Sequence, residues 1–263
     1  GAGTCRVVQA TPREDRDGDG GPGGVIIINI SSSGDSSSSS NAAMRKVCVV
    51  GASRTPIGSL AGSLAALSAP ALGSIAIKDA LAKAGVEAEQ VQEVVMGNVV
   101  SANVGQAPAR QAALGAGLPA SAICTTLNKV CASGLKAAMV AAQGIMLGSC
   151  EVAVAGGMES MSNAPHYLHV RCPAAAAAAP QRRASAAMFR LGHGELTDAL
   201  LRDGLWDPLR DVHMGECAER CAEKHGLGRE AQDAHAAASY ARAAAAQREG
   251  RFAAELCAVH APP

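Results

Sequence analysis

The sequence predicts an α/β protein built on a mostly parallel sheet, and three observations carry that reading. Short β-branched runs alternate with segments of helical periodicity from about residue 46 to residue 157, most of them closed by a glycine. A lone cysteine, Cys131, sits at one of these strand-to-helix junctions. Beyond Gly156-Gly157-Met158 the alternation stops and helical patterns follow one another.

Taken in order, residues 1–45 are rich in Gly and Ser, with near-homopolymers at Gly18–Gly24 and Ser36–Ser40, and read as a flexible extension without the apolar content for a core. Lys46–Val50 reads as the first strand, closed by Gly51. Leu72–Ala84 reads as a helix with an Asp79 to Lys83 pair at i,i+4 and Gly85 as its stop. Glu93–Met96 is a strand, and Pro108 suits the first turn of a helix over Ala107–Leu114. Ala122–Leu127 is a buried strand, Cys131–Leu147 a helix stopped by Gly148, and Val152–Ala155 a further strand. In the helix, Leu135, Met139, Ala142 and Met146 recur as one face. Three helical patterns follow, at Glu195–Arg202, Met214–His225 and Arg229–Gln247, preceded by an alanine-rich insertion between Arg171 and Arg190.

Composition excludes several function classes. Twenty-three basic and 23 acidic residues cancel, so no charge footprint for nucleic acid or an acidic membrane surface exists. The longest unbroken run of Val, Ile and Leu, Val25–Ile28, is far short of the roughly 20 residues of a membrane span. Nine cysteines, an odd number scattered through apolar segments, point to reduced thiols in an intracellular compartment.

Two reactive constellations stand out. At a helix start, unpaired N–H groups and the positive end of the dipole favour a thiolate, so Cys131 is either a nucleophile or an inert core thiol. Ligands in open α/β sheets bind at the carboxyl ends of strands, where Cys131 falls. His213, Cys217, Cys221 and His225 lie at i,i+4 steps, but on one helix the outer pair stands about 18 Å apart, beyond the reach of one ion. They read as a partly buried stripe, and no metal site is expected.

Five segments, in order, resemble thiolase motifs. They are Ser53-Arg54-Thr55-Pro56-Ile57-Gly58, Gly105-Gln106-Ala107-Pro108-Ala109-Arg110-Gln111, Asn128-Lys129-Val130-Cys131-Ala132-Ser133-Gly134, Ala155 to Ser162, and His213-Met214-Gly215. The chain is most similar to the short-chain, biosynthetic branch, the acetyl-CoA acetyltransferases. The resemblance implies a layered α/β fold of two similar halves. This chain would supply the N-terminal half (residues 46–163, a mixed sheet with helices on both faces), interrupted by a helical loop domain at 164–263. It also implies that Cys131 attacks acetyl-CoA to form an acetyl-enzyme, that a second acetyl-CoA attacks this thioester to give acetoacetyl-CoA, and that His213 and Met214 line the acyl and pantetheine pocket. Sulfur suits this role because it is both a good nucleophile and a good leaving group.

Coenzyme A thioesters are then substrates, no separate cofactor is needed, and a homo-oligomer, dimer or tetramer, is expected of the full-length protein in the cytoplasm or mitochondrion. The second-half motifs Asn-Glu-Ala, Gly-His-Pro and Cys-x-Gly do not occur in the 263 residues, so the chain alone is expected to lack turnover and to expose apolar surface. Two other readings remain: a longer-chain 3-ketoacyl-CoA thiolase of β-oxidation, and a truncated, non-catalytic protein that binds acyl-CoA or a subunit.

Overall fold

A computed structural model describes residues 24–30, 46–168 and 196–260. Its core is a five-stranded mixed sheet. In chain order the strands are β1 (Gly24–Ile30), β2 (Val47–Arg54), β3 (Glu93–Gly97), β4 (Ile123–Leu127) and β5 (Val152–Gly157), and in space they run β2-β1-β5-β3-β4. β3 pairs in parallel with both β4 and β5, whereas β1 runs antiparallel to both β2 and β5. The strands β3, β4 and β5 and the helices between them arise where the sequence alternation places them, but β4 is not the buried strand expected: it lies at the sheet edge, with Ile123 68% exposed and only β3 beside it.

Position β1 corrects the expectation of a flexible extension over residues 1–45. Gly24–Ile30 lies at the interior of the sheet, with Val25, Ile27 and Ile28 buried. A four-residue aliphatic run is too short to announce itself among Gly and Ser, yet four β-branched side chains suffice for a strand buried on both faces. The rest of that stretch, and the alanine-rich insertion, lie outside the described residues.

Helices cover both faces of the sheet. On one face pack α1 (Ala69–Ala84) and α2 (Pro108–Gly115), with Ile77, Ala76 and Ala112 against Val94, Met96 and Val154. On the other packs α3 (Ser133–Leu147), with Ala137, Ala141 and Ile145 against Val95, Ala153 and Ala155. The side-chain period of two along β3 sends Val94 and Met96 to one core and Val95 to the other. The helix ends follow the sequence punctuation. Ser68 Oγ accepts from Ala71 N at the start of α1, while Gly85 and Gly148 take left-handed backbone at the ends of α1 and α3. Asp79 and Lys83 are 2.6 Å apart, and Asp79 also accepts from Ser53 Oγ.

In α3 the periodic set Leu135, Met139, Met146 faces outward, and Leu135 is 69% exposed. The sheet-facing stripe is instead built of small residues and Ile145, because alanines let the helix axis approach the sheet. By length and composition alone residues 130–147 would pass for a membrane-crossing helix. Burial of Ala137, Ala141 and Ile145 marks it as a core helix with a second, uncovered apolar face.

After β5 the chain forms two small antiparallel ribbons, β6 (His166–Leu168) with β7 (Leu196–Asp198) and β8 (Trp206–Asp207) with β9 (Val212–His213). The helix expected over Glu195–Arg202 is thus replaced by β7 and a short π-type turn, Leu201–Leu205. Asp198 Oδ1, accepting from Leu200 N, ends the strand in the manner of an Asx turn. α4 (Met214–His225) and α5 (Arg229–Arg248) follow where the periodicity places them, and neither has a buried residue. The chain then returns to the sheet: Cys257 N donates to Arg54 O at 2.9 Å and Arg54 pairs with Glu255 at 2.7 Å.

The two faces of α3 predict opposite responses to truncation. Ile145→Ala is expected to lower the unfolding free energy by about 2–5 kcal/mol through a core cavity, and Leu135→Ala to change it by about 0.5 kcal/mol or less. Equal losses in urea denaturation would show that the two faces have been misassigned.

Candidate active site

Three glycines bring α3 onto the carboxyl ends of the parallel strands. A Cβ on Gly97, the last residue of β3, would stand 2.5 Å from Ser133 Cβ and 2.7 Å from the Ser133 carbonyl carbon. Gly157, the last residue of β5, and Gly134 approach through backbone alone: a Cβ on Gly157 would stand 3.3 Å from Gly134 Cα. Where these backbones meet, no side chain larger than hydrogen fits at residue 97.

This seating forces a tight turn between β4 and α3. Ser133 Oγ, buried, donates to Val130 O at 2.6 Å and accepts from Lys129 N at 2.8 Å. Asn128 Oδ1 accepts from Val130 N at 2.9 Å, and its Nδ2 donates to Val99 O at 3.4 Å. Inside the turn Val130 has φ +50°, a left-handed conformation that a β-branched residue rarely adopts. Such strain is of order 1–3 kcal/mol and persists only where its surroundings over-determine it. Cys131 is the residue carried by this turn.

The helix begins at Ser133 with Ala132 as its cap, so Cys131 lies just ahead of the first turn rather than within it. Its side chain is exposed and lines a cavity of about 600 Å3 whose walls come from β3, β5 and the segments after them. Gly58 from the first motif, Ser59 just after it, and Met158 to Ser162 from the fourth share that wall. A second cavity, of about 790 Å3, adjoins it through Val99 and Val130 and is lined by Tyr167, Arg202, Trp206 and Met214 among others. Tyr167 donates a short hydrogen bond to Asp203 on its rim.

Of the sequence-predicted residues, Cys131 lines the first cavity and Met214 the second. His213 has a different local task. Its Nδ1 accepts from Gly215 N at 2.9 Å and caps α4, which leaves the proton on Nε2. The stripe expected of His213, Cys217, Cys221 and His225 is only half realised, because Cys221 and His225 are exposed. Among the described residues no cluster of three or more His, Cys, Asp or Glu is placed to hold a metal ion.

The second motif serves structure instead of chemistry. Arg110 donates to Ala120 O and Ala122 O, Gln111 Nε2 ties Val104 O and Gln106 O, and Ala109 N donates to Thr126 Oγ1. Together they fix the glycine-rich loop against β4.

Glu159 is the residue the sequence reading passed over. Its carboxylate accepts from Val99 N at 2.8 Å, Val100 N at 3.3 Å and Asn98 Nδ2 at 2.7 Å, pinning the loop after β3 beside the cavity. Burial raises its pKa above the ordinary glutamate value, and the three hydrogen bonds oppose but do not cancel that effect. Asn98 also donates to Met158 O, while its Oδ1 is the one buried side-chain oxygen or nitrogen without a partner among the described residues. The signal that could have found Glu159 is its position: an acidic residue two places beyond a buried strand that ends in two glycines.

With this geometry in view, comparison with known proteins is decisive. The thiolase N-terminal domain family matches residues 47–262. The chain belongs to the thiolase family. An acetyl-CoA acetyltransferase 2 of Arabidopsis thaliana is 56% identical over 215 residues, 82% of this chain and 50% of that protein. The mitochondrial acetyl-CoA acetyltransferase of Homo sapiens is 49% identical over 216 residues, 82% of this chain and 47% of its own. Among solved structures, the Acat5 thiolase from Ascaris suum in complex with coenzyme A superposes with a TM-score of 0.71 at 38% identity, covering 80% of this chain and 51% of that one. The chain therefore spans about half the length of the curated relatives it matches.

Two predictions follow from the thiols and from Glu159. Burial raises the pKa of Cys124, Cys150 and Cys257, Cys150 to about 11 with Glu93 beside it. Exposed Cys131 is expected to react with iodoacetamide near neutral pH well ahead of these three, as read by peptide mapping; equal rates would count against it. Because folding raises the Glu159 pKa, its contribution to stability is fully present below the unfolded value and is lost as pH rises through the folded one. The melting temperature of the parent minus that of Glu159→Gln is therefore expected to fall as pH rises above the ordinary glutamate range. A difference that stays constant would refute the assignment.

Proposed function

We propose that this chain is the nucleophile-bearing half of an acetyl-CoA C-acetyltransferase, in which Cys131 carries the acetyl group between two coenzyme A thioesters. The observation that carries the reading is the strained, glycine-seated turn that holds Cys131 at the wall of a cavity on the carboxyl ends of β3 and β5. The names of the relatives, acetyl-CoA acetyltransferases at about half identity, support acetyl-CoA and acetoacetyl-CoA as substrates.

In this mechanism the Cys131 thiolate attacks the carbonyl carbon of acetyl-CoA. The C–S bond to coenzyme A breaks, and the coenzyme A thiolate leaves with a proton from solvent or a second-half residue. A second acetyl-CoA, deprotonated at its methyl carbon, then attacks the acetyl-cysteine, and Cys131 leaves as thiolate with acetoacetyl-CoA as product. Backbone N–H groups at the start of α3 are suited to the tetrahedral oxyanion. Val130, shared by both cavities, and Met214 beyond it line the route for the pantetheine arm. His213, expected beside Met214 in the acyl and pantetheine pocket, also orients the start of α4 through its Nδ1.

No Gly-His-Pro or Cys-x-Gly sequence occurs in the chain, so no residue here fills the family's roles of cysteine activation or methyl deprotonation. We infer an intracellular setting, cytoplasmic or mitochondrial, consistent with reduced cysteines and with a relative named mitochondrial. Homo-oligomerisation of the full-length protein belongs to the same proposal.

The test is kinetic. The chain extended by a second half like that of its relatives is expected to cleave acetoacetyl-CoA in preference to long-chain 3-ketoacyl-CoA, and Cys131→Ala to abolish an acetyl-enzyme seen by mass spectrometry. The 263-residue chain alone is expected to show no turnover. Cleavage by that chain, retention of acetylation without Cys131, or a preference for long-chain substrate would each overturn a part of the reading.

A further inference from the structure

Cys131 shares its cavity with one carboxylate. Glu159 is the sole charged side chain among the described residues that line it. Both Glu159 oxygens are taken up by a single loop: Oε1 accepts from Asn98 Nδ2 and Val100 N, and Oε2 from Val99 N. Asn98 gives Nδ2 to Glu159 and to Met158 O even though this leaves its own buried Oδ1 without a partner. Buried polar groups are nearly always paired, so the Glu159 contact outweighs that loss.

Two consecutive residues of the loop then reach two consecutive residues of the segment that leads to Cys131. Asn98 N donates to Leu127 O at 3.1 Å, and Val99 O accepts from Asn128 Nδ2 at 3.4 Å. Asn128 passes the constraint on, because its Oδ1 takes Val130 N at 2.9 Å and Val130 is the left-handed residue just before Cys131. The far end of the turn is fixed separately, by Ser133 Oγ on Lys129 N and Val130 O. Left-handed backbone at a β-branched residue persists only where its surroundings over-determine it, so both ends of the turn must be held. One end belongs to α3, and the other hangs on the loop that Glu159 holds.

We propose that Glu159 is a positioning residue for Cys131: it fixes the backbone of residues 98–100, which through Leu127 and Asn128 keeps the Val130–Cys131 turn in one conformation. This deepens the acyl-carrier reading of Cys131, on which it rests, by giving Glu159 a share in the reactivity of the thiol without contact with the reacting atoms. Reactivity follows from place. Just ahead of the first turn of α3, negative charge on sulfur faces unpaired N–H groups, and a turn that samples several conformations holds it there less of the time.

The test uses the 263-residue chain and reads the rate of Cys131 alkylation by iodoacetamide relative to that of Cys221, an exposed thiol on α4, by peptide mapping. Glu159→Gln leaves one acceptor oxygen for three donors, and Asn128→Ser keeps an acceptor for Val130 N but loses the donor to Val99 O. Each is expected to lower the Cys131-to-Cys221 ratio at least about threefold, and the double variant to lower it no further than the stronger single one, since both cut one relay. Removing the Glu159 charge by itself would favour a nearby thiolate and speed the reaction, so a fall in rate is not a charge effect. Ile77→Val, which weakens the core under α1, is expected to leave the ratio unchanged. Unchanged or faster alkylation in the single variants, multiplied losses in the double variant, or an equal fall in Ile77→Val overturns the proposal. Should Glu159→Gln fail to fold, Asn128→Ser, at an exposed residue, carries the same expectation and the same refutation.

A second arm separates positioning from binding. In the chain extended by a second half, Glu159→Gln is expected to lower kcat for acetoacetyl-CoA cleavage while KM stays within about twofold. A raised KM at unchanged kcat overturns the positioning role. Alkylation needs no turnover, so an inactive extended parent counts against the acyl-transfer reading, and the first arm then decides on Glu159 alone.

Discussion

The contact between the backbone of α3 and the ends of β3 and β5 is the constraint on which the site depends. Gly97, Gly134 and Gly157 let three main chains meet where side chains would otherwise hold them apart. Residues 128–132 then link the end of β4 to this seated helix start. Within that link Val130 stands at φ +50°, and Ser133 and Asn128 supply the hydrogen bonds that hold this conformation. The exposure of Cys131 to the cavity is thus a consequence of packing several residues away, and Cys131 inherits its position from a steric requirement at glycine.

The loop opposite is positioned by a charge rather than by packing. Three donors converge on Glu159, and charge-assisted bonds of this kind are about twice as strong as neutral ones. The same burial that strengthens them disfavours the carboxylate, which is why the Glu159 pKa lies above its ordinary value despite three donors. Val99, held by Glu159 through its N–H, receives the Asn128 side chain on its carbonyl. The two walls of the cavity are therefore coupled through one residue, and the strained turn is braced by the loop that Glu159 pins.

Much of this was legible in the sequence, and the failures have definite causes. Alternation of β-branched and helical segments placed β3, β4 and β5 and all three sheet helices, because glycine stops and the Asp79–Lys83 pair act locally. Periodicity in α3 revealed an apolar face but not which face meets the sheet: the larger residues Leu135 and Met139 drew the eye, while the alanines that pack more closely did not. β1 was missed because its four aliphatic residues carry no local signal; they become a strand only when β2 and β5 provide edges on both sides. The helix expected near Glu195 failed for the converse reason, since Leu196–Asp198 pairs with His166–Leu168 across a long separation in sequence. The motifs located the cavity, but they could not separate residues that touch it, such as Cys131, from residues such as Arg110 that hold a loop in shape.

That separation bears on how the chemistry is divided. In the proposed chemistry a thiolate nucleophile needs access, and Cys131 is exposed; forming an enolate-like carbanion would need a base in surroundings from which water is excluded. The apolar face of α3, with Leu135 and Met139 exposed, starts at the same turn that carries Cys131. A body packed on that face would therefore bring its own residues to the rim of the Cys131 cavity and shield it from water at the same time. Covering the helix and completing the site become one event, so in such an arrangement the apolar area of α3 contributes to catalysis as well as to stability.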